Sequence, residues 1–426
     1  MMKYGFVRAA AAAPGLRVAD CGYNAQQIIE EATRLAQDGV QIALFPELSI
    51  TGSTCGDLYL QQPLLQGALQ GLEDVLKATS QLNILLAVGM PVSVSCKLYD
   101  CAVLLCGGRI LGVVPKQHME ADRLRHFVPG CGNHTIVLCG QEVPFGTRLL
   151  FACSNMPELV LAAEVDTDLW APAAPSLNHA KAGAPLILHC AAGAELVGKA
   201  DYRRTLVEGQ SARLMCGYLL ANAGEGESTT DFVFSGHHLI AENGKLLAET
   251  KLFSGQAAVA DIDLQRLCAE RRGSNLFAAN QAGYQVVSFE LKDTDTVTRT
   301  FPQMPFIPED KAEREQRCAS ILEMQAAGLR KRISHTNCGK LVIGVSGGLD
   351  STLALLVAVK ALDSLGRPHS DLLAVTMPCF GTTARTKGNA ERLCEALGAE
   401  GVACVGRKIV LYRESKEKKT IELPKK

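Results

Sequence analysis

What the chain has little of narrows the choices first. Net charge is −1, with 43 basic and 44 acidic residues. That balance offers no electrostatic reason for nucleic-acid or anionic-membrane binding. Aromatic residues make up 5%, and there is one tryptophan. No apolar run approaches the length of a membrane span. The opening MMKYGFVRAAAAAPG lacks the apolar core of a secretion signal. Low-complexity blocks are absent, so most of the chain should be globular. The 16 cysteines contain no CxxC pair and no zinc spacing. Cys96, Cys101 and Cys106 recur every five residues, a period that matches no ligand geometry. Unpaired cysteines in this number suit a reducing compartment, so a cytoplasmic location is expected. A length of 426 residues allows two or three domains with sizeable cores.

The most informative stretch is LVIGVSGGLDSTLALLVAVKALDSL, residues 341–365. Leu341–Val345 reads as a buried strand and Ser346-Gly347-Gly348 as a tight turn. Asp350, Ser351 and Thr352 open a helix whose apolar residues recur at helical spacing. Successive backbone N–H groups at such a turn, together with the helix N-terminus, suit a phosphate or pyrophosphate. It is not the common P-loop, because no Gly-Lys-Ser/Thr follows. Asp371–Pro378 reads as the next parallel strand, Cys379–Thr386 as a threonine-rich loop, and Ala384–Leu397 as a helix. This order begins a doubly wound sheet, with ligands expected at the carboxyl ends of the strands.

The front of the chain alternates strands and helices. Strands are expected at Tyr4–Ala10, Gln41–Phe45, Asn83–Met90, Leu159–Val165 and Pro185–His189. Leu98–Cys106 and Arg109–Pro115 form a hairpin turning at Gly107-Gly108. A second hairpin turns at Asn243-Gly244. Tyr23–Gln37, Asp57–Ala78 and Asp201–Cys216 are helical. Three residues fall at strand ends: Glu47 in FPELSITG, Lys116 in VVPK, and Asp166 in DTDLW. A glutamate at a strand end is placed for acid–base work, although a loop charge of this kind is more often simply solvated.

FPELSITG and VVPK resemble the corresponding segments of the nitrilase superfamily, the carbon–nitrogen hydrolases. The stretch GKADYRRTLVEGQSARLMCGYLLANAGEGESTTDFVFSGHHLIAENGKLLAE is similar to the glutaminase domain of glutamine-dependent NAD synthetases. SGGLDST resembles the pyrophosphatase loop of enzymes that adenylate a carboxyl group and let ammonia displace AMP. The implied architecture is α/β: a nitrilase-like α-β-β-α sandwich followed by the first part of a doubly wound parallel-sheet domain. The sandwich is placed at 1–285, a linker and connecting helix at 286–335, and a partial synthetase domain at 336–404. A lysine-rich segment at 405–426, read as a solvated tail, matches nothing in the family.

In the family a glutamate takes the thiol proton, a lysine steadies the oxyanion and a cysteine attacks the amide. The resemblance assigns the first two roles to Glu47 and Lys116. The third position holds Asp166, which cannot form a thioester. With Glu47 and Asp166 close together, one carboxyl should be raised in pKa, partly offset by Lys116. The loop QHMEADRLRHF after Lys116 is several residues short, and the tyrosine and second glutamate that the family carries there have no clear counterpart. Gly193 falls where the family holds the substrate glutamine with a hydroxyl, while Lys199 matches a binding position. Cys190 reads as a packed thiol, Cys153 as preceding its strand, and Cys216 as core.

For the second domain, the resemblance places ATP on Gly344, Val345, Ser346, Gly347, Gly348, Leu349, Asp350, Ser351 and Thr352. Magnesium accompanies ATP as its substrate complex, with Asp350 serving the loop or the metal indirectly. The implied reaction is ATP-dependent amidation of deamido-NAD with ammonia from glutamine, in a homo-oligomer that takes neither nucleic acid nor membrane. The synthetase region reads as curtailed, with the metal and deamido-NAD ligands beyond the matched part. Two alternatives stand beside this one: a nitrilase-type amidase, and a catalytically inactive relative that only binds or scaffolds.

Overall fold

The computed structural model describes residues 4–277, 281–293, 296–376, 384–405, 408–412 and 419–422. The chain divides into two compact units, residues 1–300 and 301–426.

The first unit is built on two sheets. One has eight strands, in the order Ala258–Asp263, Phe6–Ala11, Ile42–Leu44, Leu85–Val94, Lys97–Cys106, Arg109–Pro115, Gln141–Gly146 and Asn133–Leu138. The other has seven: Lys245–Glu249, Leu239–Glu242, Gly217–Asn222, Leu186–Ala191, Val160–Val165, Leu149–Cys153 and Gln285–Phe289. Their inner faces share one core, in which Val7, Ile42, Leu44 and Leu104 of the first sheet meet Phe151, Leu161, Leu188 and Leu219 of the second. The outer face of the first sheet packs on the helices Cys21–Gln37 and Gln62–Ala78 through Ile28, Leu35, Leu72 and Val75. The outer face of the second packs on Ser176–Ala182 and Lys199–Leu214 through Ala180, Val207 and Leu214. Central strands covered on both faces must be apolar on both, which is why they read as continuous hydrophobic runs. Burying each leucine or isoleucine contributes about 1.5–3 kcal/mol. The expected α-β-β-α sandwich is therefore present.

Several expectations need correction. The helical stretch at 57–78 is divided into a 3-10 turn, Gly56–Leu60, and a helix that starts at Gln62. Pro63, which has no N–H to give, sits in the first turn of that helix. Cys153, besides preceding Val160–Val165, ends a strand of its own, Leu149–Cys153, and is buried. The segment after residue 285 does not begin as linker. Gln285–Phe289 pairs in parallel with Leu149–Cys153, satisfying an otherwise open edge. Thr298 and Arg299 then bond Asp261 and Glu242. The first unit accordingly runs about fifteen residues further than the sequence suggested.

The second unit carries a five-stranded sheet, in the order Leu341–Gly344, Leu372–Thr376, Glu400–Val405, Lys408–Tyr412 and Lys419–Glu422. The first three strands are parallel and the last two antiparallel. Leu341–Gly344 was expected to be buried. It lies at the sheet edge with alternate residues outward, and Val342 is 68% exposed. The lysine-rich end expected to be a solvated tail contains the last two strands. The long helix Lys311–Thr336 packs on the helix Leu349–Asp363 through Ala326, Ile333 and Ala361. Of the threonine-rich loop, residues 379–383 lie outside the described residues.

Candidate functional site

Glu47 follows the strand Ile42–Leu44 in a turn where Leu48 adopts φ 52°. The turn presses on Gly89, where an added Cβ would lie 2.3 Å from both Leu48 N and Pro46 O. Only glycine allows that approach. The Glu47 N–H donates to the Ala191 carbonyl at 3.3 Å, which ties the loop of one sheet to a strand end of the other. Lys116 follows Arg109–Pro115, and its N–H donates to the Asp100 carbonyl at 2.8 Å. Asp166 follows Val160–Val165 at φ 41°, a left-handed conformation that aspartate tolerates better than most residues.

Asp168 holds two of these strand ends together. Its carboxylate accepts the N–H groups of Gln117 at 3.1 Å, His118 at 2.8 Å and Val165 at 3.1 Å. The Thr167 hydroxyl also donates to the His118 carbonyl. Backbone donors from both chain segments thus converge on a side chain that is 1% exposed, and the positions of Lys116 and Asp166 are fixed with respect to each other.

The structure brings Glu47, Lys116 and Asp166 together. Lys116 Nζ donates to Glu47 Oε1 at 2.8 Å and to Asp166 Oδ2 at 3.1 Å, with the lysine side chain 1% exposed. Asp166 Oδ1 accepts the Ala192 N–H at 3.2 Å. Two further ionisable groups, which sequence reasoning missed, complete the cluster. Arg123, from the short loop after Lys116, places Nη2 3.9 Å from Glu47 Oε2 and donates to the carbonyl and hydroxyl of Ser53 at 2.8 and 2.5 Å. Asp100 is fully buried, and neither of its oxygens has a hydrogen-bond donor among the described residues.

Charge balance explains how these groups titrate. Burial alone would raise Asp166, but Lys116, Arg123 and His189 outweigh it and hold the carboxyl down at about 2. Burial and then the neighbouring Glu47 push Asp100 well above its ordinary value. Lys116 is raised despite its burial, because Asp166 and Glu47 surround it with negative charge. The raised carboxyl is therefore Asp100, which lies outside the expected Glu47–Asp166 pair, while Asp166 is lowered by the cations around it.

Above the cluster opens a cleft of about 780 Å³ walled by Tyr59, Glu120, Arg123, Asp166, Trp170 and Lys199. Lys199 Nζ lies 3.8 Å from the centre of the Trp170 ring, a cation–π contact. Gly193 is on the same wall. Its N–H donates to Asn222 Oδ1 at 2.8 Å, and an added Cβ would stand 3.9 Å from Asp166 Oδ1. The short loop, which showed no clear second glutamate, does bring Glu120 to the cleft. Cys190 is buried in its strand with its thiol pKa raised by burial, and it is not in the cleft wall. Asp100 left a trace in the sequence as a lone charge inside LYDCAVLL. Arg123 left none that distinguishes it from Arg125.

In the second unit, the Ser346–Gly348 turn joins the end of Leu341–Gly344 to the helix Leu349–Asp363, as expected. Gly347 has φ 78°. The Ser351 hydroxyl receives the Ser346 N–H at 3.2 Å and donates to the Gly348 carbonyl at 3.1 Å, and Thr352 donates to the same carbonyl at 2.9 Å. These bonds close the turn on itself. Ser346, Gly348, Leu349 and Asp350 remain exposed, so a ligand can reach the start of the helix. No group of three or more His, Cys, Asp or Glu side chains is gathered for a metal among the described residues. Nor is any helix among them long and apolar enough to cross a membrane.

Residues 8–272 match the carbon-nitrogen hydrolase family and residues 321–421 match NAD synthase. The second match runs past residue 404, the end expected for the partial synthetase domain. The chain is 38% identical over 413 residues to the glutamine-dependent NAD(+) synthetase of Mycobacterium tuberculosis, covering 93% of this chain and 61% of that protein. It thus spans about three fifths of the length of the curated relatives it matches. By structure it resembles a glutamine-dependent NAD(+) synthetase from Cytophaga hutchinsonii, with a TM-score of 0.54 and 20% identity, covering 94% of this chain and 65% of that one. It also resembles the Acinetobacter baumannii enzyme in complex with adenosine diphosphate, with a TM-score of 0.51 and 18% identity over the same shares.

Proposed function

The chain belongs to the carbon-nitrogen hydrolase family, and from that premise we propose that it is an NAD synthetase relative whose hydrolase half is silent towards glutamine. In this reading ATP and deamido-NAD are the substrates of the second unit and free ammonium is the nitrogen source. The substrate carboxylate attacks the α-phosphorus of ATP and releases pyrophosphate. Ammonia then displaces AMP and leaves an amide. Ser346, Gly347, Gly348 and Ser351 would hold the pyrophosphate at the start of the helix, where the first-turn N–H groups and the helix dipole favour an anion. Magnesium enters with ATP, and the same reading carries a homo-oligomeric assembly.

The observation that carries the proposal is the place of Asp166. By the resemblance it falls where the hydrolases keep their thiol, and it accepts a hydrogen bond from Lys116, the lysine that would steady the oxyanion. Attack by a carboxylate on an unactivated amide would have to form an anhydride, which is higher in energy than the amide itself. Glu47 then has no thiol proton to accept. The expected outcome is that ammonium, and not glutamine, supports whatever NAD the chain forms from ATP and deamido-NAD. Product formed equally well from glutamine would overturn the silent hydrolase half. No product from either nitrogen source would overturn the ligase reading.

A further inference from the structure

Lys116 Nζ and the Ala192 N–H are two donors in a buried place, and both bond one carboxylate, that of Asp166. We propose that these two donors form an anion site that Asp166 fills with its own side chain, and that a free monocarboxylate of formate or acetate size takes its place when that side chain is removed. The inference rests on the reading of a silent hydrolase half and adds what the replacement does to the site: it supplies the ligand from within.

Four features of the geometry support this. The two Asp166 oxygens bond different donors, as a bound carboxylate would. Lys116 is 1% exposed and cannot turn to solvent for another anion. Glu47 takes another of the three ammonium protons at 2.8 Å, so the proton directed at Asp166 is the one freed when that side chain is removed. The donors are held by bonds that do not involve the Asp166 side chain: Lys116 by its N–H to the Asp100 carbonyl and by the Asp168 clamp on Gln117, Ala192 by the pairing of the preceding Ala191 with Asn222. Removing the Asp166 side chain should therefore leave the donors in place and an anion-sized space beside the cleft. Its occupant must carry negative charge, because otherwise Lys116 is buried against Glu47 with one strong donor direction unused. It must also be small and planar to match the two donors.

The test uses the full chain. Asp166→Gly suits the left-handed backbone at this position, and Asp166→Asn keeps the shape without the charge. Melting midpoints are read in sodium formate and in sodium chloride at equal ionic strength, with titration of carbon-13 formate followed by NMR. Asp166→Gly should bind formate saturably, at least about tenfold more tightly than the unsubstituted protein, and its midpoint should rise with formate and not with chloride. Wild type and Asp166→Asn should not respond. Adding Lys116→Met to Asp166→Gly should abolish the effect. Equal midpoints in formate and chloride for Asp166→Gly, an equal response by wild type, or binding that survives Lys116→Met would each overturn the proposal. An Asp166→Gly protein unfolded in chloride should be recovered folded in formate, and failure to recover it counts against the site. Formate binding involves no turnover, so its failure leaves the silent-hydrolase reading standing, and ammonia release from glutamine by wild type would sink that reading alone.

Discussion

Replacing Lys116 by methionine should do more damage than its single position suggests, and Asp166 should determine how much. Lys116 Nζ lies 2.8 Å from Glu47 and 3.1 Å from Asp166, and its side chain is 1% exposed. Two unit charges about 3 Å apart interact by about 5 kcal/mol at an effective dielectric constant near 20. Desolvation offsets much of that, and removing one partner of a buried pair costs about 3–5 kcal/mol. Asp166 is lowered from 3.8 to about 2 by its surroundings, which corresponds to about 2–3 kcal/mol of differential interaction with the charged form. Asp166→Asn alone should therefore destabilise by about 2–3 kcal/mol. In the Lys116→Met background the same change should be neutral or stabilising, because Glu47 and Asp166 would then repel each other. The coupling energy should be at least about 2 kcal/mol. The assay is urea unfolding followed by the fluorescence of Trp170, the chain's one tryptophan, which stands in the cleft wall of the first unit. A coupling below about 0.5 kcal/mol would refute the claim that Lys116 and Asp166 act as a pair.

Other outcomes follow from the same cluster and from the second unit. Asp100 keeps its proton in the folded chain because burial and Glu47 raise its pKa, whereas the unfolded chain releases that proton above about pH 4. Folded stability should therefore fall as pH rises, and Asp100→Asn should stabilise the protein at pH 8 more than at pH 5, read as urea midpoints. Asp166 has the opposite sign. Its pKa is depressed, so its contribution is present above about pH 4 and is lost as pH falls towards about 2. Asp166→Asn should flatten the acid limb of the stability curve in that window. Gly347 holds φ 78°, where alanine costs about 1–2 kcal/mol. Gly347→Ala should weaken magnesium–ATP binding about five- to thirtyfold by calorimetry, and unchanged affinity would remove the turn from the nucleotide site.

The strand ends that carry Glu47, Lys116 and Asp166 were legible because covered strands are apolar on both faces and end abruptly at polar residues. The Gly107-Gly108 and Asn243-Gly244 turns were legible because few residues adopt positive φ without cost. Peripheral strands were not. Asn133–Leu138 is mostly exposed and opens on the polar residues Asn133, His134 and Thr135. Gln285–Phe289 gains its identity as a strand only by pairing with a partner more than 130 residues earlier. Leu341–Val345 looked buried because its composition is apolar, yet an edge strand with one neighbour leaves alternate side chains outward. In the site, residue types announced the family chemistry but not the charge balance. Asp100 and Arg123 enter through side-chain direction, which depends on how two sheets meet. Arg123 adds to Lys116 in lowering Asp166, a contribution that an argument from Glu47, Lys116 and Asp166 alone leaves out.

Ammonia release from glutamine by the purified chain, compared with Glu47→Ala and with the double variant Asp166→Cys, Gly193→Ser, tests the central claim most directly. A hydrolase framework without its thiol predicts no release by the wild type above the Glu47→Ala level, and release by the double variant would show that the rest of the pocket survives. Release by the wild type that Glu47→Ala abolishes would contradict it.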